Sequence, residues 1–264
     1  MEAKARGAKL IHVDPRFSRT SALADRYVPL RAGTDIAFLG GIINHVLQNE
    51  KYLEPYVAAY TNAPMIVTED FQDTEDLDGL FSGFDPDEGS YNFRTWRYEG
   101  ADVQAASGDR DMAYRERKRQ ESKRSIQQSG HGETHGSGGA ATEPWPERDD
   151  TLQHPRCVFQ VLKRHYARYT PEMVQATCGV APEVFAQVAD WITSNSGRDR
   201  TSAFVYAVGW TQHTVGVQYI RAASILQLLL GNIGRPGGGI MAMSGHASIQ
   251  DSSDIPTLFN LLPG

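Results

Sequence analysis

The feature that most constrains this chain is a strand-to-helix passage in its last quarter. Ala203-Phe204-Val205-Tyr206-Ala207-Val208 is an unbroken apolar run, Gly209-Trp210-Thr211-Gln212-His213 follows it, and a long apolar helix is expected from about Thr214 to Leu230. A run of this kind without polar alternation predicts a strand buried on both faces. Open α/β sheets place ligands at the carboxyl end of such a strand. Gln212 and His213 carry donors and acceptors that suit a polar heterocycle. A plain helix entry with a satisfied histidine is the alternative for this pair.

The amino-terminal part repeats the pattern. Lys9-Leu10-Ile11-His12-Val13 reads as a second buried parallel strand, closed by Asp14-Pro15-Arg16. Pro15 ends it, because proline cannot donate to a ladder. A short helix is expected over Arg19 to Asp25, then an extended piece at Tyr27-Val28-Pro29-Leu30. Gly33-Thr34-Asp35 opens a strong helix, with Thr34 as its cap and Asp35 in the first turn, where the helix dipole favours an anion. Ile36, Leu39, Ile43, Val46 and Leu47 recur at helical spacing. Further helices are expected from His154-Pro155-Arg156-Cys157 to about Tyr169, from the Thr170-Pro171-Glu172 entry, and from Ala181-Pro182-Glu183 to near Ser194-Gly197. The order predicts an α/β fold, a doubly wound, mostly parallel sheet with flanking helices.

Composition divides the chain into four stretches: an α/β segment over 1–68, an irregular connector over 69–107, an insertion over 108–150, and a second α/β segment over 151–264. The insertion runs from Arg115-Glu116-Arg117-Lys118-Arg119 into Gly130-His131-Gly132-Glu133-Thr134-His135-Gly136-Ser137-Gly138-Gly139. It cannot bury apolar surface and is expected to be a disordered surface loop. Its two histidines sit in too flexible a tract for a preformed metal site.

Net charge is −6, so no global field favours nucleic acid or an anionic membrane. The longest apolar stretch, Ile225 to Leu230, is interrupted by Gln227 and is far too short for a span. Met1-Glu2-Ala3-Lys4-Ala5-Arg6 lacks a secretory core and reads as the tail of a helix stopped at Gly7. With the apolar Leu261-Leu262-Pro263-Gly264 at the other end, both termini look like cuts through a larger protein; a natural start with a fraying first helix is the alternative. Cys157 and Cys178 are the only cysteines, with no C-x-x-C pair, so the chain itself carries no metal signature and both should pack as small apolar residues. The glycine loop Gly231 to Gly239 can approach an anion but lacks the lysine of a P-loop. No G-x-G-x-x-G follows the first strand, which argues against a nicotinamide-binding domain.

Taken together, Lys9-Leu10-Ile11-His12-Val13-Asp14-Pro15-Arg16, Gly33-Thr34-Asp35, Thr151-Leu152-Gln153-His154-Pro155-Arg156-Cys157, Tyr206-Ala207-Val208-Gly209-Trp210-Thr211-Gln212-His213, Leu228 through Gly239, and Ser244-Gly245-His246-Ala247-Ser248-Ile249-Gln250 resemble the molybdopterin oxidoreductase family. Within it they are most similar to the large (alpha) subunit of formate dehydrogenase. The resemblance covers nearly all of the chain outside the insertion.

The resemblance implies a bis(molybdopterin guanine dinucleotide) cofactor carrying molybdenum or tungsten. It places Val13, Asp14, Arg16, Gly33 and Asp35 at the nucleotide end, and Gly209, Gln212, His213 and Gly245 near the pterins. His246 is the implied polar group beside the metal. Asp14 and Asp35 can accept from guanine N–H or ribose hydroxyls, and Arg16 can meet a diphosphate. A turn former before Pro15 and a first-turn acid are the plainer readings of the two aspartates. In the family, the metal-ligating selenocysteine or cysteine and the cysteines of a 4Fe–4S cluster lie upstream of the stretch matched here. An arginine precedes the family's Gly-His pair, where this chain has Ser244, and Asp251 stands where glycine is usual. Serine supplies no charge to orient formate, so Ser244 is a doubtful catalytic position. The implied activity of the parent is oxidation of formate to carbon dioxide. Its implied partners are an iron–sulfur beta subunit or other electron-transfer subunit, and the remainder of the catalytic subunit. A nitrate reductase-like oxidoreductase, or a cofactor-binding module without catalysis, are the alternatives. The compartment is left open: a parent of this type is cytoplasmic, membrane-associated or exported. The chain alone is expected to be inactive.

Overall fold

The computed structural model describes residues 2–101 and 146–243. Most of the expected insertion, together with Ser244, Gly245, His246 and Asp251, lies outside the described residues. In chain order the elements are α1 (Glu2–Ala5), β1 (Ile11–Val13), α2 (Arg19–Leu23), β2 (Arg26–Val28), α3 (Asp35–Gln48), α4 (Glu54–Tyr60), β3 (Phe84–Asp85), β4 (Ser90–Tyr91), α5 (Val158–Tyr166), α6 (Pro171–Cys178), α7 (Pro182–Ser194), β5 (Ala203–Tyr206), α8 (Val208–Thr211), α9 (Gly216–Leu229) and β6 (Gly239–Ala242). The described residues fall into two compact units, 2–62 with 162–243, and 63–101 with 146–161.

The first unit is built on α3. Its apolar spacing buries Phe38, Leu39, Ile42, Ile43, Val46 and Leu47 against α6, α7 and α9. Gly41 lets the neighbours come close. A Cβ there would stand 2.5 Å from Val174 Cγ2 and 3.0 Å from the Phe185 ring. From α9, Tyr219, Ala222, Ala223 and Leu226 complete the core, the two alanines keeping the helix surface low.

The parallel strands come in two β-α-β pairs. β1 lies beside β2 with Val13 opposite Val28, and β5 lies beside β6 with Ala203 opposite Gly239 and Tyr206 opposite Ala242. The strands are not buried on both faces as their apolar runs suggest. Val13 is 37% exposed and Val205 60% exposed, while Phe204 and Tyr206 are half-buried. A two-stranded sheet has one face against helices and the other open, so alternate side chains face out.

Helix boundaries also correct the expectations. Thr34 does not cap α3, because its backbone is not extended and its hydroxyl donates back to Arg31 O at 2.6 Å. The Thr34 carbonyl instead accepts from the buried Cys178 thiol at 3.4 Å. Thr170 does cap α6, accepting from Met173 N. The helix expected from His154 to Tyr169 is shorter. Asp149 holds the Gln153 and His154 amides in a turn, and α5 begins only at Val158 and ends at Tyr166. Likewise α9 starts at Gly216 rather than Thr214, because α8 has already turned the chain.

In the second unit, three extended segments are stitched by Ile66 N to Glu147 O, Glu147 N to Glu99 O, and Glu99 N to Ile66 O. Arg156 clamps them, donating to Val67 O at 2.8 Å and pairing with Glu99 at 2.9 Å. The β3–β4 hairpin carries a cluster of edge-on rings, Phe81, Tyr91, Phe93 and Trp96. Among the described residues no helix is long and apolar enough to cross a membrane.

Candidate functional site

Two groups of the expected site residues gather at the carboxyl ends of the parallel strand pairs. The first follows β1. Pro15 ends the strand, and the Asp14 carboxylate accepts the Arg16 amide at 2.7 Å, which bends the chain back into α2. Asp14 thus does play the turn-forming part. One of its oxygens closes the turn, and the other stands 3.8 Å from His12 Nε2, beyond hydrogen-bond range. The turn and the face of α2 border an open groove of about 700 Å³, lined by Asp14, Arg16, Phe17, Ser18, Arg19 and Ala22. That is the size of a small-molecule site.

The groove's chemistry is uneven. Arg16 and Arg19 bring two positive charges against one carboxylate, within a chain of net charge −6. Neither arginine pairs with a carboxylate among the described residues. Guanidinium forks bind phosphate and carboxylate oxygens bidentately. Phe17 is 62% exposed and packs edge-on against Tyr27 at 5.2 Å, which leaves an apolar face available to a flat ring. Phe17, Ser18 and Arg19 carry no site signal of their own in the sequence. They read there as the entry to a short helix, and only their spacing from Arg16 hints at a shared wall.

The second group joins the start of α3 to α8 and α9. The Trp210 indole N–H donates to Asp35 Oδ1 at 3.1 Å, and Tyr206 stacks on Trp210 at 5.1 Å. The Tyr219 hydroxyl donates to Gly33 O at 3.1 Å, and the His213 ring lies 5.6 Å from the Tyr219 ring. Burial, with the Asp35 charge nearby, pushes the Tyr219 phenol up, so it keeps its proton as a donor. Gly33, Asp35 and His213 are therefore brought together, with Trp210 and Tyr219 as the links. Gly209 is exposed, and a Cβ placed on it would meet nothing within 4 Å; Gln212 is exposed at the end of α8. Gly216 is the backbone device of this corner. A Cβ there would stand 2.1 Å from Trp210 O.

The two groups rest on different scaffolds, β1–α2 for Asp14 and Arg16, and α3–α8–α9 for Gly33, Asp35 and His213. The groove itself is lined only from Asp14 to Ala22. Val13 forms its approach as a partly exposed strand end rather than a wall. His246, Ser244 and Gly245 lie outside the described residues, beyond the end of β6. The residue that holds β6 is Gln227. It is fully buried on α9 and donates to Ser202 O at 2.9 Å, just before β5, and to Gly239 O at 2.7 Å, the first residue of β6. Asn232 donates to its Oε1 at 2.8 Å. Cys157 and Cys178 are buried thiols held protonated by burial, suited to packing rather than reaction.

Comparison with known proteins fits this picture. The chain is 43% identical over its whole length to the formate dehydrogenase-O major subunit of Escherichia coli and 42% identical to the formate dehydrogenase subunit alpha of Megalodesulfovibrio gigas. A 41% match over the same span is found to the nitrate-inducible formate dehydrogenase major subunit of Escherichia coli. The chain spans 22% of the length of each of these curated relatives. The profile of the molybdopterin oxidoreductase domain matches residues 1–256. The parallel β-α-β pairs, the strand-end turns and this match over nearly the whole sequence lead to one assignment: the chain belongs to the molybdopterin oxidoreductase family.

Proposed function

We propose that this chain is the part of a formate dehydrogenase-like catalytic subunit that grips the nucleotide end of a bis(molybdopterin guanine dinucleotide) cofactor. The observation that carries the reading is the groove after β1, where Arg16 and Arg19, without a carboxylate partner among the described residues, line the same walls as Asp14 and an exposed Phe17. The donor set fits the group. Two guanidinium forks suit a diphosphate, an aromatic face suits a purine, and a carboxylate suits guanine N1–H and its amino group. Asp35 has a second role beside the nucleotide, since its Oδ1 already anchors Trp210 and only its remaining lone pairs are available to a ligand.

When bound, the cofactor supplies the redox chemistry, carrying a molybdenum or tungsten centre. What this chain supplies is binding and orientation. Arg16 and Arg19 neutralise the phosphates, Asp14 and Asp35 accept from base or ribose, and the turn at Gly209, Gln212, His213 presents polar groups toward a pterin. Ser244, Gly245 and His246 come after β6 in the sequence and are the residues the resemblance assigns to the metal end. The parent reaction is HCOO⁻ to CO₂, a proton and two electrons, with the electrons leaving through iron–sulfur centres outside this stretch. Ser244, in place of the arginine that orients formate in the resembling enzymes, favours a second reading, a parent acting on another oxyanion such as nitrate.

The nucleotide reading is tested on the chain itself with guanosine diphosphate (GDP) and isothermal titration. Losing a charge-assisted contact costs about 1.5–3 kcal/mol, so Arg16→Gln and Arg19→Gln should each weaken GDP by about tenfold or more. Binding no tighter than that of guanosine, or affinity unchanged in both variants, removes the reading. Formate and nitrate supplied in turn to the complete catalytic subunit with a redox dye separate the two substrate readings. The chain alone should reduce no dye.

A further inference from the structure

We propose that His12 is a positioning residue of the nucleotide groove, its tautomer set by Ser21 so that a ring N–H faces Asp14. The inference rests on the nucleotide reading of the groove and adds to it a residue that lines none of its walls.

The argument starts from one buried hydroxyl. Ser21 is 5% exposed, on α2, and its oxygen accepts the Ser18 amide at 2.8 Å as the return arm of the α2 capping box. A hydroxyl has one proton to donate, and buried polar hydrogens are almost always satisfied. Among the described residues the neighbour able to take it is His12 Nδ1, 2.9 Å from Ser21 Oγ. Were Nδ1 the protonated nitrogen, the Ser21 oxygen would accept twice and its own proton would be stranded inside the fold. His12 is therefore the Nε2–H tautomer when neutral. That nitrogen stands 3.8 Å from Asp14 Oδ2, the oxygen not used in closing the turn at Arg16.

His12 also reaches the far wall. Its ring stacks on Tyr27 at 6.1 Å, and Tyr27 supports Phe17 edge-on at 5.2 Å. The imidazole thus bonds the Ser18 turn through Ser21, stacks on the Tyr27 that supports Phe17, and lies near Asp14 without a hydrogen bond to it. A valine or leucine on β1 would fill the same half-buried space but could neither accept from Ser21 nor face Asp14 with an N–H. Among the described residues the groups facing His12 are Ser21, Asp14 and Tyr27.

The experiment uses the full 264-residue chain, GDP as the probe, and two readouts. In ¹⁵N-resolved spectra above pH 8, His12 should show Nε2 protonated and Nδ1 bare, and Ser21→Ala should shift the Nδ1 resonance. In titrations, His12→Val and Ser21→Ala should each weaken GDP by about fivefold, the size of one ordinary hydrogen bond. The double variant should be no weaker than the worse single, because both act through one relay. His12→Gln, whose carbonyl can take the Ser21 proton while its amide faces Asp14, should recover to within about twofold. Circular dichroism spectra confirm that each variant folds. A protonated Nδ1 in the wild-type chain, additive losses, or GDP affinity unmoved by both single variants overturns the proposal. A wild-type chain that does not bind GDP overturns the nucleotide reading and the positioning role with it, and the tautomer then stands or falls on the spectrum alone.

Discussion

Replacing Gln227 by leucine tests what holds the β5–β6 pair to its helix. The side chain is fully buried and uses both ends of its amide. Its nitrogen serves Ser202 O and Gly239 O, and its oxygen accepts from Asn232. Gln227→Leu keeps the volume and deletes three hydrogen bonds. At about 1 kcal/mol net for each, the loss is about 3 kcal/mol. The Ser202 and Gly239 carbonyls left without that donor add about 1–3 kcal/mol each where water cannot reach them, and the added apolar burial offsets about 1–2 kcal/mol. The expected net destabilisation is at least about 3 kcal/mol, or a Tm lowered by at least roughly 6 °C on the scale for chains of this size. Urea unfolding followed by far-ultraviolet circular dichroism measures it, provided the m-value is unchanged. Gln218→Leu, exposed on the same helix, is the control and should shift stability by less than about 0.5 kcal/mol. A Gln227→Leu chain within about 1 kcal/mol of wild type would refute the clamp, because the carbonyls would then have found other partners at no cost.

Three further perturbations probe other parts of the structure. Gly41→Ala places a methyl 2.5 Å from Val174, so overpacking of about 1–3 kcal/mol should outweigh the roughly 1 kcal/mol gained in helix propensity, giving a net loss by thermal unfolding. Gly216→Ala drives a methyl into Trp210 O, and the corner should open, releasing the indole from Asp35. Tryptophan fluorescence should then shift to the red and match that of an Asp35→Ala chain; an unshifted spectrum counts against the contact. The Asp149 carboxyl is drawn down to about 2 by the Thr151 hydroxyl and the amides of His154, Thr151 and Gln153. Its folded value lies below its ordinary 3.8, so its contribution is full above about pH 4 and fades as pH falls toward 2. A carboxyl ¹³C titration should give a midpoint near 2 for Asp149, and Asp149→Asn should remove the loosening of the 151–154 turn over that window.

How much of this can be read in the sequence depends on the range of each interaction. α3 is legible because Ile43, Val46 and Leu47 report a buried face through spacing alone, and α6 because Thr170-Pro171 is a self-contained start signal. The Asp14-Pro15-Arg16 turn is legible for the same reason, since Asp14 and Arg16 bond each other. What fails depends on distant neighbours. Thr34 looks like a cap, but the backbone around it is set by Arg31 and by Cys178, which comes 144 residues later. Asp35 looks free for a ligand, yet the partner that takes one of its oxygens is 175 residues away. The strand runs Leu10–Val13 and Ala203–Val208 look buried because apolar composition does not say how many strands stand alongside, and a pair leaves one face open. Gln227 shows what the missing signal looks like. In the sequence it is merely the residue that interrupts an apolar stretch. A glutamine in the middle of a core helix costs free energy unless its amide is fully used. The groups that can use it are the backbone ends of neighbouring strands, which the strand ladder leaves unpaired. A lone amide inside an apolar helix therefore marks where a strand pair docks, and here it marks the strand that leads to Ser244, Gly245 and His246.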